Sequence, residues 1–356
     1  MEMGVCQGCG IPLAFAQLNR WHTDGDITQA GNEQARMAFV ECENVDPLFR
    51  ELGRLLGHSI DHLVINIVAR GTQLYMDTLT PQEVKEMIRN KTIDMAAFSQ
   101  GVIDICHAIG YGKYEFLGYR YENDPEDYCK IRITKPFSIL ETSGAFAGVV
   151  ASSVGGEHSV TFEEVAPEVY ELTTGWTTYP EVVKEKLRLQ LYRRKEGDVE
   201  LERCQECGTP SRLSSMCTWD LENGIIRNRA NGCRMSVLGP GLMDTVFDAL
   251  EWELGEEIPQ MVVEAQSGIV RQGFPAFPLE LPFEEVRTEI ALRGLGNLRE
   301  LRLEEGKARL RIDNSCMRLL VVGWLKGSFE MLRGGECEAS WQVSPAGSLE
   351  VELTLV

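Results

Sequence analysis

An α+β fold made of two tandem copies of one unit is predicted by three observations. The chain matches itself at a spacing of 198 residues. The matched segments run in one order: helices, hairpin, helix, hairpin. The hairpin runs alternate apolar and polar residues, as strands with one buried and one wet face do, so the sheets are antiparallel. The expectation is two repeats, each an antiparallel sheet packed with helices, arranged as a pseudo-twofold dimer.

The self-match starts at Cys6-Gln7-x-Cys9-Gly10-x-Pro12, which lies over Cys204-Gln205-x-Cys207-Gly208-x-Pro210. Without a gap, Trp21 falls on Trp219, Ile27 on Ile225, Arg36-Met37 on Arg234-Met235, and Leu56-Gly57 on Leu254-Gly255. Beyond about residue 131 the spacing becomes 179, with Ile131-Arg132-Ile133 over Leu310-Arg311-Ile312 and Gly155-Gly156-Glu157 over Gly334-Gly335-Glu336. The first copy therefore carries 19 more residues, and Thr80-Pro81-Gln82-Glu83 at that place reads as a capping box opening an extra helix near 80–109. This predicts a first domain at 1–179, a second at 204–356, and a charged connecting helix over 180–203 with an apolar seam at Val182, Val183, Leu187, Leu189 and Leu191.

Within each copy, Asp46 reads as the N-cap of an amphipathic helix running through Leu48, Phe49, Leu52, Leu56, Ile60 and Val64. Strands are expected at 115–122, 128–135, 159–164 and 168–173, and in the second copy at 298–303, 307–313, 337–343 and 348–355. Glycine-containing apolar helices are expected at 137–154 and 315–332.

The composition limits the function. The 356 residues carry 35 Lys+Arg against 54 Asp+Glu, a formal charge of −19. Such a surface repels phosphate backbones and anionic bilayers, so neither nucleic acid nor membrane is an expected partner. No apolar run approaches the roughly 20 residues of a spanning helix, and the first residues show no signal-peptide pattern. A cytoplasmic protein is the expectation. The 11 cysteines, an odd number, argue against a disulfide framework.

Four of those cysteines form the two Cys-x-x-Cys-Gly units, each of which offers one metal ion two thiolates. Three arrangements are open. The units meet across the pseudo-twofold, with Cys6, Cys9, Cys204 and Cys207 on one ion. Alternatively each builds a local site, as Cys204, Cys207, Cys217 and Cys233, or Cys6, Cys9, His22 and Cys42. Or the units are redox dithiols. The first uses only residues that match between copies and is preferred. Zinc is the expected metal, an iron–sulfur cluster is the alternative for four thiolates, and turn-forming glycines with buried thiols and no metal are the remaining one. His58 and His62 stand four apart with Asp61 between them, and read as a solvated helix face.

The element order, Leu254-Gly255-x-x-Ile258, the strand 308–313 running into Asn314-Ser315-Cys316, Gly323-Trp324-Leu325-Lys326-Gly327 and Gly334-Gly335-Glu336-Cys337 together resemble the 4-vinyl reductase domain. That is a family of small-molecule-binding α/β modules related to haem-nitric-oxide-associated sensor domains and to a vesicle-tethering subunit fold. The resemblance spans most of the second copy and, through the repeat, the first. It implies a ligand pocket between helices and sheet. Zinc-binding members use a Cys before the glycine-containing helix and two more at the final hairpin turn; here Cys316 matches the first, but Val343–Ser348 contains none, so that metal site is not expected.

Neither a nucleophile elbow, a Walker loop, a His-Glu-x-x-His motif nor a convincing catalytic triad is present. The reading is a non-enzymatic binding protein for an apolar or tetrapyrrole-like ligand, with a structural metal joining the repeats and a protein partner to pass on any signal. The first copy is the expected ligand holder, with Trp21, Phe116, Tyr119 and Phe146 as candidate lining residues. An iron–sulfur or metal-handling accessory protein and a non-catalytic scaffold are the alternatives.

Overall fold

The computed structural model describes residues 4–185 and 187–356. In the first copy the elements are α1 (Leu13–Leu18), β1 (Asn19–Trp21), β2 (Ile27–Gln29), β3 (Asn32–Glu41), α2 (Val45–Leu56), α3 (Asp61–Leu79), α4 (Gln82–Arg89), α5 (Met95–Ala108), β4 (Lys113–Arg120), β5 (Tyr128–Thr134), α6 (Ile139–Val154), β6 (His158–Ala166) and β7 (Val169–Trp176). After α7 (Glu181–Glu185), the second copy has α8 (Arg212–Met216), β8 (Cys217–Asp220), β9 (Ile225–Asn228), β10 (Arg234–Leu238), α9 (Pro240–Leu254), α10 (Ile258–Arg271), α11 (Phe283–Leu292), β11 (Asn297–Leu303), β12 (Lys307–Asp313), α12 (Arg318–Arg333), β13 (Cys337–Val343) and β14 (Leu349–Leu355). This is an α+β fold of two similar halves.

Each half has a four-stranded antiparallel sheet, β4-β5-β7-β6 and β11-β12-β14-β13, covered by a helix pair. The pairs α3·α6 and α10·α12 pack closely because glycines on α6 and α12 leave no side chain between the helices. A Cβ at Gly144 would come within 2.5 Å of Val68, and one at Gly323 within 2.7 Å of the Val263 carbonyl. The interior is continuous across both halves: Phe49 faces Phe247 at 6.3 Å between ring centres.

A six-stranded sheet, β1-β2-β3-β10-β9-β8, joins the copies. Its central pair is β3 with β10, antiparallel, with Val40 opposite Ser236 and Phe39 opposite Val237. Each N-terminal segment docks on the opposite half. The Phe39 N–H donates to the Arg293 carbonyl at 2.9 Å, and the Val237 N–H to the Ile109 carbonyl at 3.0 Å. Arg36 donates to the carbonyls of Gly294 and Asn314, while Arg234 donates to those of Pro136 and Gly110. Arg293 binds Glu41 through two nitrogens, at 2.8 and 3.2 Å, both residues buried.

Several expectations need correction. The single leading helix is two, broken at Gly57 with φ +79°, and the matching break falls at Gly255. Asp46 does not cap it. Its carboxylate reaches across the interior to cap α6 instead, accepting from Ser138 Oγ at 2.6 Å and Ile139 N–H at 2.8 Å. Thr80 ends α3, and Pro81 holds the position before α4 with no side-chain cap. Two helices, α4 and α5, occupy 82–108, but only α4 is extra, because α5 leads into β4 as α11 leads into β11. Ile27 corresponds to Ile226 rather than Ile225, since Ile27 pairs with Met37 and Ile226 with Met235. Helix in the connector is confined to Glu181–Glu185, and residues 187–202 carry neither helix nor strand. Their polar backbone groups are satisfied sideways, as where Gln190 N–H donates to Thr245 Oγ1 at 3.2 Å. Lys186 lies outside the described residues, and so does the Val182 side chain.

The Glu41–Arg293 pair generates the first prediction. Removing one partner strands a buried charge. Arg293→Ala is expected to lower unfolding stability by about 3–5 kcal/mol, read from the denaturant midpoint; a loss under about 1 kcal/mol would show the pair to be dispensable.

Candidate metal centre

The two Cys-x-x-Cys-Gly units form matching turns. Gly10 N–H donates to the Cys6 carbonyl at 2.8 Å, and Gly208 N–H to the Cys204 carbonyl at 2.9 Å. Each turn is closed by a β-bridge, Val5 with Pro12 and Arg203 with Pro210. Gly10 and Gly208 have φ of +75° and +72°, a conformation that disfavours side chains, which explains the glycine after each second Cys.

The six-stranded sheet brings these turns face to face. The four Sγ atoms of Cys6, Cys9, Cys204 and Cys207 all lie within 4.8 Å of one another. Cys6 and Cys204 are 3.6 Å apart, Cys9 and Cys207 3.5 Å. These separations are too long for a disulfide and lie just under the ~3.8 Å edge of a tetrahedron with zinc–sulfur bonds of about 2.3 Å. All four thiols are free. Four cysteines placed in this way can hold one metal ion, supplying a closed set of ligands. Backbone N–H groups of Cys207 and Glu206 pull the Cys204 thiol down to about 7, whereas burial pushes Cys9 up to about 12.

Glu206, not singled out in the sequence, ties the turns together. Its carboxylate accepts from Gly8 N–H at 2.8 Å and lies 3.3 Å from Cys6 Sγ. The first copy has Gly8 at the matching position, so comparing the two copies offered the one available signal.

The local alternatives are not assembled. Among the described residues the cluster contains only those four cysteines. Cys217 is buried in the core under the Cys turns, Cys42 points at the Arg234 carbonyl, and His22 pairs with Thr28 at 2.8 Å. His58 and His62 do not share a helix, because α3 begins at Asp61.

The candidate ligand residues are dispersed. Trp21 sits between Phe15 and the opposite half, and its indole N–H donates to the Leu292 carbonyl at 3.0 Å. Phe116 and Tyr119 stand on β4 with ring centres 6.1 Å apart, Tyr119 exposed, and Phe146 lies half-buried on α6. Two surface clefts, of about 480 and 410 Å³, are lined by none of these four residues. No described helix is long and apolar enough to cross a membrane.

A feature not read from the sequence lies at the start of α6. There Glu141, Thr142 and Ser143 are buried, and Glu141 Oε1 and Ser143 Oγ lack hydrogen-bond partners, while Thr142 faces the Tyr114 hydroxyl. The spacing of 179 puts Leu320, Val321 and Val322 at these positions in the second half, all buried apolar residues. On β4 and the turn before it, where the spacing is 184, Tyr111 and Tyr114 replace Leu295 and Leu298. Burial, with Asp46 adding to it, lifts Glu141 to about 8.

No family model matches the chain, and no curated protein matches it. Among solved structures the chain is similar to the crystal structure of the phenol-responsive sensory domain of the transcription activator PoxR with phenol. The identity is 13%, over 49% of this chain and 92% of that one, with a TM-score of 0.30. A score that low carries no conclusion about this chain.

The shared geometry makes a direct prediction. Cys6→Ser and Cys207→Ser, one from each turn, are each expected to abolish metal binding altogether, measured as metal per chain by elemental analysis. Loss of only half the metal in each variant would mean two separate sites.

Proposed function

We propose that the protein is a non-enzymatic small-molecule-binding protein whose two repeats are clamped by one structural zinc on Cys6, Cys9, Cys204 and Cys207. The observation that carries this reading is the convergence of four thiols, two from each repeat, within 4.8 Å. A closed set of four thiolates leaves no open coordination position for chemistry. The sulfur spacing suits one ion better than an iron–sulfur cluster, which puts several irons and sulfides between its thiolates.

The first repeat, within 1–179, is the ligand-holding one in this reading, and 204–356 is its filled structural counterpart. The same helix position carries Glu141-Thr142-Ser143 in one and Leu320-Val321-Val322 in the other. Buried polar atoms without partners cost about 1–3 kcal/mol each, a cost that a ligand bearing polar groups on an apolar body offsets. The resemblance to the 4-vinyl reductase domain agrees with this use of the fold, and Phe116, Tyr119 and Phe146 remain candidate lining residues, whereas Trp21 belongs to the separate core under the Cys turns.

Two measurements test the proposal. Protein purified without oxygen is expected to contain one zinc per chain and no sulfide; iron with sulfide would replace the reading with a redox accessory role. The Glu141 carboxyl gives a pH signature. Its folded-state value of about 8 lies above the ordinary 4.5, so between these values the folded chain keeps a proton that the unfolded chain has lost. Stability therefore falls as pH rises through this window. Glu141→Gln is expected to be more stable than the parent at pH 8 by about 4 kcal/mol and similar at pH 4.5. Parallel stability curves would show that the carboxyl is solvated or paired.

A further inference from the structure

The pseudo-twofold relates two grooves, and the described chain fills one of them. Each groove runs from the end of a four-stranded sheet to the turn of the opposite half's N-terminal hairpin. A glycine pair marks the equivalence: Gly112 N–H donates to the Gly224 carbonyl at 2.9 Å, and Gly296 N–H to the Gly25 carbonyl at 3.3 Å.

In the Gly25–Gly296 groove lie residues 194–199 of the connector. Lys195 donates its N–H to Asn314 Oδ1 at 2.8 Å, accepts at its carbonyl from Asn314 Nδ2 at 3.0 Å, and places Nζ 3.1 Å from Asp313. Arg194 faces Asp26 at 3.4 Å, and Val199 N–H donates to the Thr23 carbonyl at 2.8 Å. Gly197 lies so tightly on Asp24 that an added Cβ would come within 2.2 Å of its Cα.

The twin groove at Gly112–Gly224 is the open cleft of about 480 Å³. Thr134 and Lys135 stand there in place of Asp313 and Asn314, and Asn223 and Ile225 in place of Asp24 and Asp26. Arg227 takes the position of Thr28. Three carboxylates near Arg194 and Lys195 are thus gone, Arg287 and Arg299, which hold the connector's Asp198 in the filled groove, are not part of this cleft's lining, and two cations, Lys135 and Arg227, have appeared, opposed by Asp220. Neither cation is held by a close carboxylate: Lys135 is 3.8 Å from Glu168 and Arg227 is 3.9 Å from Glu43, exposed pairs of little worth, and Arg227 donates besides to the Gly232 carbonyl at 2.9 Å.

We infer that this cleft docks an extended acidic segment of a partner protein, held as residues 194–199 are held in the twin groove. The shape of the site is the one that already accepts an extended chain, and Lys135 and Arg227 offer cations to carboxylates where, in the twin, Asp26 and Asp313 face Arg194 and Lys195.

The test uses the full metal-loaded chain and two labelled, end-blocked hexapeptides followed by fluorescence anisotropy. One is the connector sequence Arg-Lys-Glu-Gly-Asp-Val; the other has its two cations replaced, Glu-Glu-Glu-Gly-Asp-Val. The acidic peptide is expected to bind at least about tenfold more tightly. Lys135→Asn with Arg227→Thr, which installs the twin groove's residues at exposed positions, is expected to erase that preference with metal content unchanged. Equal binding of the two peptides, a preference that survives the double variant, no binding of the acidic peptide up to about 1 mM, or displacement of it by free acetate at equal concentration would each overturn the inference. So would self-association of the chain that the double variant abolishes.

Discussion

The pairing of β3 with β10 is the contact on which the molecule depends. It is the middle of a sheet to which both repeats contribute, and it fixes everything on either side of it. Because the two strands are antiparallel about a pseudo-twofold, the cysteine turns at the start of each repeat arrive at one point. For the same reason each N-terminal segment overshoots its own repeat and lands on the other. Arg36 and Arg234 then do equivalent work in opposite directions, each satisfying carbonyls that end a helix or a strand in the partner half. The buried Glu41–Arg293 pair adds a charge contact across the same seam. Burial alone would raise the Glu41 carboxyl, but the Arg293 charge and its hydrogen bonds outweigh that and hold it below the usual carboxylate range.

Much of this was legible in the sequence, for definite reasons. Strands 307–313 and 337–343 are where the alternation placed them, since each has one wet face and no Pro or bulge to blur the period. The four cysteines were legible because both copies keep the motif in register. What was hidden is mostly short or shared. β1, β2, β8 and β9 are three or four residues long, too short for a period to show, and they pair with the other repeat's strands only through the central sheet. The connector misled because Val183 and Leu187 are fully buried, giving it an apolar seam, yet its backbone is paired with side chains of Thr245 and Asn314 instead of with itself. Asp46 misled for a related reason: a carboxylate suited to capping caps the helix nearest in space, not in sequence.

Pseudo-symmetry also works as an internal control. Two copies of one fold within one chain share solvent and element order, so a difference at matched positions isolates a local role. Glu141-Thr142-Ser143 against Leu320-Val321-Val322 is one such difference, inside the core. The cleft at Lys135 and Arg227 against the groove whose Asp313 holds Lys195 is another, at the surface. Neither could be read from one copy alone. Each required knowing which residues face the same place, and the register shifts within the repeat, such as Ile27 with Ile226, hide that from an ungapped comparison.

The exchange of N-terminal segments has a consequence for biosynthesis. The first repeat's own sheet is complete once Trp176 has left the ribosome, but residues 217–238, which seal its open end, follow some forty to sixty residues later. Until then Ile109 and Gly110 present unpaired carbonyls to solvent, and the first N-terminal segment waits for a half not yet made. The nascent chain therefore cannot finish one half and store it, as tandem domains on a flexible tether do. The seam closes late, when both of its ends are present, and the four cysteines can meet only once the second turn has been made.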